Sequence, residues 1–182
     1  MTSSRKLTHQ EIVSRQQEQA PQERFPIYVV LNNIRSLYNV GSIFRTSDGA
    51  AVSKLFLCGY TGYPPANKVL KTALGATESV PWQRRDSAVE VIQELKQSGA
   101  QILLLEQTTS SQSFDEVSFK FPVCLVLGNE VEGVDEQIVA LSDGSVEIPM
   151  YGIKNSLNVS VAYGIAIYAI TQACAKQAKV FS

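Results

Sequence analysis

Short apolar runs recur along the middle of the chain: Ile27 to Leu31, Leu55 to Cys58, Ile102 to Leu105, Val123 to Leu127 and Val146 to Ile148. Each has strand length, is rich in Val, Ile and Leu, and is apolar at consecutive positions, the pattern of strands buried on both faces in a parallel sheet. Segments of helical period lie between them. The clearest predicts a helix over Asp86 to Ser98, with Asp86 as its cap, Val89, Ile92 and Leu95 on one face and Gly99 just past the end. A long last helix is expected from Ser156 to about Lys179. Its Val159, Val161, Ala162, Ile165, Ala166, Tyr168 and Ala169 require cover from the sheet or from a second subunit. Strands alternating with helices imply an α/β domain.

Residues 1–26 break this pattern. They are polar and Gln-rich, with Pro21 and Pro26 near the end, so an arm or surface helix is expected ahead of a domain spanning 27–182. Hydrophobic residues at 45% and charged residues at 18% are the balance of a chain that buries a core along most of its length. The net charge of −1 bears more directly on function. Proteins that hold nucleic acid chiefly by neutralising phosphates carry a large Lys/Arg excess, so any RNA contact here relies on local patches or on a groove shared by two subunits. The basic residues available for it are Arg35, Lys68, Lys71, Arg84 and Arg85, with Arg5, Lys6, Arg15 and Arg24 in the arm.

His9 is the one histidine, and Cys58, Cys124 and Cys174 stand far apart with no C-x-x-C pair. Zinc ligation and Cys/His nucleophile pairs therefore lack their residues, and no metal site is expected. Cys58 and Cys124 lie in apolar runs and are read as buried, reduced thiols. No apolar leader opens the chain and the apolar C-terminal stretch is interrupted by polar residues, so a cytoplasmic protein without a membrane span is expected.

In an open α/β sheet, ligands bind at the carboxyl ends of the strands. No G-x-G-x-x-G and no Gly-Lys-Ser/Thr phosphate loop follows any of the predicted strands, which removes the main support for dinucleotide and P-loop chemistry. Other junctions stand out instead. After the first strand, a polar loop runs into a helix; with Asn39 as its N-cap, Ile43 and Phe44 face inward and Arg45 projects as a planar cation near the strand ends. After Leu127, Gly128 and Gly133 bracket a tight loop in which either Glu130 or Glu132 is the candidate acid. After Val146, the apolar Ile148, Met150 and Leu157 accompany Ser156, a candidate N-cap whose helix start favours an anionic group, together with Asn155, Asn158 and Ser160.

In this order and spacing, the three segments resemble the SPOUT superfamily, specifically the SpoU (TrmH-type) RNA ribose 2′-O-methyltransferases. Its first motif is approximated by Asn33-x-Arg35-Ser36-x-x-Asn39-x-Gly41-x-x-x-Arg45-Thr46 and its second by Gly128-x-Glu130-x-x-Gly133. The third corresponds to Ile148-Pro149-Met150 and Ser156-Leu157-Asn158-Val159-Ser160, so the likeness spans about Ile27 to Ala175. Lys71 to Ala76 also resembles a family segment, without a chemical role to assign. The resemblance implies a Rossmann-like, mostly parallel sheet with a C-terminal deep trefoil knot, S-adenosylmethionine as cofactor and an obligate homodimer. It implies that backbone groups at Gly128, Ile148 and Leu157 hold the cofactor, and that Asn39, Arg45, Glu130, Ser156 and Asn158 form the catalytic and substrate pocket. Family members often carry an RNA-binding domain ahead of this core, where this chain has the largely polar segment 1–26.

The implied reaction suits these residue types. A ribose 2′-hydroxyl is a weak acid and a poor nucleophile, so a neighbouring group must take its proton or stabilise the developing oxyanion. The resemblance gives that role to Arg45, either as base or, since a protonated guanidinium accepts no hydrogen bond, as the cation that stabilises the alkoxide. Competing functions on the same scaffold are a catalytically silent RNA-binding protein and a methyltransferase acting on a base.

Overall fold

The apolar runs become strands because a parallel sheet with helices on both faces buries consecutive residues of each strand alternately up and down. A computed structural model describes residues 4–20 and 23–180; Pro21, one of the two prolines closing the arm, lies outside the described residues. The strands are β1 (Phe25–Asn32), β2 (Val52–Cys58), β3 (Trp82–Arg85), β4 (Gln101–Leu105), β5 (Gln112–Ser113), β6 (Val123–Leu127) and β7 (Gly144–Glu147). The helices are α1 (His9–Gln19), α2 (Leu37–Gly49), α3 (Asn67–Ala73), α4 (Ala76–Ser79), α5 (Ala88–Gln97), α6 (Glu136–Leu141) and α7 (Val159–Val180). The sheet order is β3-β2-β1-β6-β4-β7-β5 and every neighbouring pair is parallel.

Alternate side chains of one strand enter different cores. Ile27, Val29 and Leu31 of β1 pack with Ile43 and Phe44 of α2 and Ile167 and Ile170 of α7, whereas Val30 packs on the opposite face with Val91 and Ile92 of α5 and Ile138 of α6. Helices α2, α3 and α7 thus cover one face and α5 and α6 the other, the α/β architecture expected from the alternation. Cys58, Cys124 and Cys174 are free and buried. Burial pushes the Cys58 thiol up to about 12, as a thiol without nearby ligands in an apolar core requires.

Helix starts differ from the expected positions by one to three residues. Ser36, not Asn39, caps α2, its Oγ accepting from Asn39 N at 3.3 Å. Ser87, not Asp86, caps α5 by accepting from Glu90 N at 3.2 Å. The last helix begins at Val159, and Asn158 rather than Ser156 meets its open N–H groups, with Oδ1 accepting from Ser160 N at 3.0 Å. Several short polar residues stand at each of these junctions, and any of them can accept a backbone N–H; the path of the preceding loop decides which does.

The side of α7 that faces the sheet is apolar and buried at Tyr163, Ala166, Ile167, Ile170 and Cys174. At the bottom of this seam Tyr163 Oη lies 2.6 Å from Ser47 Oγ, which itself donates to Ile43 O, so the one polar atom of a fully buried ring is satisfied. The opposite side keeps Val161, Ile165 and Tyr168 exposed, so the sheet covers one face of the helix only. Helix α1 is closed at its start by a reciprocal Thr8–Glu11 cap and buries none of its residues.

Candidate active site

Strands β6, β4 and β7 are consecutive in the sheet, so the loops that leave their carboxyl ends stand side by side. With the first turn of α7 they enclose a cavity of about 290 Å3. Leu105, Val146, Ile148, Leu157 and Val159 form its apolar wall, and Glu106, Gln107, Asn129, Glu130, Ser156 and Asn158 its polar rim. Of the residues expected at the site, Gly128, Glu130, Ile148, Ser156, Leu157 and Asn158 line this one cavity. Glu132, the other candidate acid, does not; its N–H donates to Asn129 Oδ1 instead.

Gly128 is hemmed in by main chain. Asn129 and Gly133 exchange N–H···O bonds, both 2.9 Å, closing the loop back on itself. A Cβ on residue 128 would come within 2.4 Å of the Gly133 carbonyl and 2.6 Å of Val134 N, all backbone atoms that cannot swing away. Gly133 sits at φ +72°, the left-handed region that a side chain disfavours. The glycine pair therefore lets the chain double back beside the cavity.

Glu130 ties this loop to the first one. Its carboxylate accepts from Arg35 N at 2.9 Å, Ser36 N at 3.1 Å and Asn39 Nδ2 at 3.0 Å. Asn158 Nδ2 in turn donates to Asn39 Oδ1 at 3.2 Å. Asn39 does not line the cavity, but it is the link through which Glu130 and Asn158, on two of its walls, are held in register. Partial burial pushes the Glu130 carboxyl up, yet the hydrogen bonds from the backbone N–H groups of Arg35, Glu130 and Ser36 and from Asn39 outweigh it and leave the group below the usual carboxylate range. Accepting from the backbone of one loop and from the Asn39 side chain, the carboxylate clamps the two loops together.

The sign of that shift gives a test. A depressed folded-state value contributes stability that is complete above the ordinary carboxylate pKa of about 4.3 and is lost as pH falls through the lower folded value. Glu130→Gln, which replaces one acceptor oxygen with a donor facing backbone N–H groups, is expected to lower the thermal midpoint at pH 7, with the gap to wild type closing as the pH drops below about 4. Thermal melts of both proteins across that range measure it; a constant gap contradicts the clamp.

Arg45 is placed elsewhere. It is exposed in the third turn of α2, six residues and about 9 Å of helix rise beyond Asn39, and does not line the cavity. One turn further along the same helix, Tyr168 of α7 lies against Gly49. Among the candidate RNA contacts, Arg24 is bound to Asp48 and to the carbonyls of Val52 and Ser79, and Arg85 to Glu94, so both serve the fold. Lys71 to Ala76 spans the end of α3 and the turn into α4, where Thr72 donates to Tyr38 O and packs against Gly41. Among the described residues, no group of three His, Cys, Asp or Glu side chains is gathered as a metal would need.

Two parts of the site were not anticipated. Glu106 and Gln107 follow a strand whose end carries no glycine, so a search for glycine-rich junctions passes over them. Gln107 Nε2 reaches Asn155 O at 2.7 Å and joins the β4 loop to the loop before α7. Asn129 is buried and fully used: Nδ2 donates to Asn33 O and Tyr60 Oη, while Oδ1 accepts from Val131 N and Glu132 N. Its position directly after Gly128 was the available signal.

A profile of the SpoU rRNA methylase family matches residues 26–168, most of the chain. The chain belongs to that family. This SpoU-family chain is 36% identical over 146 residues to the tRNA (guanosine(18)-2′-O)-methyltransferase of Aquifex aeolicus, which covers 78% of the chain and 67% of that relative. The crystal structure of an A. aeolicus TrmH/SpoU tRNA modifying enzyme superposes with a TM-score of 0.79 at 31% identity, covering 93% of this chain and 85% of that one. The SpoU methyltransferase AviRb of Streptomyces viridochromogenes, solved in complex with AdoMet, shares the fold with a TM-score of 0.74 at 24% identity over 85% of this chain and 60% of that one. Several other curated relatives are longer, and the chain spans 60 or 61% of their length.

Proposed function

We propose that this chain is an S-adenosylmethionine-dependent RNA methyltransferase that moves a methyl group to a ribose 2′-hydroxyl of tRNA or rRNA, acting as a homodimer in the cytoplasm. The observation that carries the reading is the single cavity in which family positions from two distant loops, Gly128 with Glu130 and Ile148 with Ser156, Leu157 and Asn158, come together. The residues present suit the cofactor: main chain at Gly128 lining the cavity, an apolar wall for a flat ring, and amide and hydroxyl groups at the rim for polar ends. Backbone groups at Gly128, Ile148 and Leu157 would hold it, and it would supply an electrophilic methyl group on sulfur. The trefoil knot that family membership implies would be built from the loops that make this cavity.

For such an in-line transfer the protein supplies alignment and dryness. Leu105, Val146, Ile148 and Leu157 exclude water from one side of the cavity. The Glu130–Asn39–Asn158 chain fixes the opposite side, and the Ser156 hydroxyl beside it would orient the substrate hydroxyl. Arg45, which does not line the cavity in the isolated chain, would supply the fixed positive charge for the alkoxide or its adjacent phosphate within the homodimer. The outward face of α7, with Val161, Ile165 and Tyr168 exposed in the isolated chain, supports the homodimer as the arrangement that covers it.

The experiment is transfer of labelled methyl from S-adenosylmethionine into total tRNA and rRNA, followed by digestion to nucleosides. Label on ribose supports the proposal, and label on a base transfers the function to a base methyltransferase. RNA binding without donor binding in calorimetry leaves a silent RNA-binding protein.

A further inference from the structure

Among the described residues, five Tyr, Phe or Trp side chains expose more than a third of their surface, and three of them, Tyr38, Tyr60 and Tyr63, gather beside the cavity. Tyr38 stands in the first turn of α2, and Tyr60 and Tyr63 in the loop from β2 to α3. That loop is fixed from below. Thr61, itself buried, donates to Leu31 O at 2.9 Å and accepts from Ile34 N at 3.0 Å, and Tyr60 N donates to Asn33 Oδ1 at 3.2 Å. Gly62 approaches Leu37 so closely that a Cβ there would lie 1.9 Å from Leu37 Cδ2. The rings are thus presented on a pinned backbone, with 46% of Tyr38, 59% of Tyr60 and 43% of Tyr63 open to solvent.

Cations accompany the rings. Lys68 Nζ lies 5.9 Å from the Tyr38 ring centre and the Arg84 guanidinium 5.7 Å from that of Tyr63. Arg84 also pairs with Asp86, whereas Lys68 and Lys71, exposed on the same helix, have no carboxylate within salt-bridge distance among the described residues. The patch is continuous with the cavity: Tyr60 Oη accepts from Nδ2 of Asn129, a residue of the cavity rim, at 2.7 Å. Exposed aromatic faces interleaved with uncompensated positive charge match one ligand chemistry, unpaired bases on a phosphate backbone.

We propose that Tyr38, Tyr60 and Tyr63, with Lys68, Lys71 and Arg84, form a stacking platform for unpaired RNA bases next to the nucleotide that enters the cavity. This rests on the methyltransferase reading and adds to it a substrate preference: single-stranded or loop RNA over duplex. It also explains how a chain with no overall positive charge holds RNA, because stacking does not depend on a surplus of cations.

The test uses the full chain and a single-stranded RNA of about 12 nucleotides carrying 2-aminopurine, with a duplex of the same length alongside. Wild type is expected to quench the 2-aminopurine fluorescence and to bind the single strand more tightly than the duplex. The Tyr38→Ala/Tyr63→Ala pair should weaken single-strand binding by about tenfold or more, with Phe at both positions retaining it. Lys68→Ala should lower the slope of log affinity against log salt by about 0.7, a change the tyrosine variants do not make. Should the alanine pair melt early, Tyr63→Leu, which keeps bulk but removes the ring, replaces it. Undiminished binding by the alanine or leucine variants, or equal affinity for duplex, overturns the platform. Methyl transfer by wild type, measured separately, distinguishes the two readings: transfer with unaffected variants removes only the platform, and no transfer into any RNA removes the function beneath it.

Discussion

Gly128→Ala is expected to abolish binding of the methyl donor and to cost about 3 kcal/mol of stability, the upper end of what overpacking does. The added methyl has no exit: the atoms it meets, the Gly133 carbonyl and Val134 N, are main chain, and Asn129 and Gly133 hold them through two reciprocal hydrogen bonds. Relief requires the loop to open, which takes Asn129 and Glu130 away from the cavity together. Urea unfolding measures the stability and calorimetry with S-adenosylmethionine the binding. Gly152→Ala is the matched control, because a Cβ there meets nothing within 4 Å, and it should leave the unfolding midpoint nearly unchanged. Equal behaviour of the two variants would show that the 128–133 loop has slack that its hydrogen bonds do not suggest.

Arg45→Ala is expected to lower turnover by at least about 100-fold while leaving the donor dissociation constant unchanged. The split follows from position: Arg45 is exposed on α2 and contributes nothing to the cavity lining, so its removal takes no contact from the donor. Single-turnover methyl transfer and donor calorimetry on the same preparation separate the effects. Arg45→Lys keeps a positive charge without the planar fork and should retain measurable turnover if charge alone stabilises the alkoxide. A donor affinity that falls together with turnover would place Arg45 in the donor site and contradict the location seen here.

Much of the fold was legible because burial on both faces writes itself into consecutive apolar residues. Strands β1, β2, β4 and β6 all coincide with such runs. Strands β3 and β5 left no such trace. Trp82–Arg85 pairs on one side only, with β2, at the edge of the sheet, and Gln112–Ser113 is a two-residue pairing with β7, so neither needs an apolar run. The site was legible where a residue type is irreplaceable, as at Gly128, and where polar side chains accumulate, as at Asn158. It was not legible at Glu106 and Gln107, which reach the cavity only because β4 lies between β6 and β7, a fact of sheet order that no local pattern states. Arg45 shows the converse: its neighbours Ile43 and Phe44 face inward as expected, but Arg45 itself is not among the residues lining the cavity.

The sheet order also governs how the molecule is born on the ribosome. Strand β1 acquires its partner β2 soon after synthesis, but its other edge must wait for β6, which begins at Val123, and β4 cannot join the sheet until β6 fills the gap. At elongation rates of about 5–20 residues per second, the nascent chain spends several seconds with a fully apolar strand edge unpaired. That interval is when a chaperone has most to protect, and it makes Ile27 to Leu31 the segment through which stalled or truncated chains should aggregate.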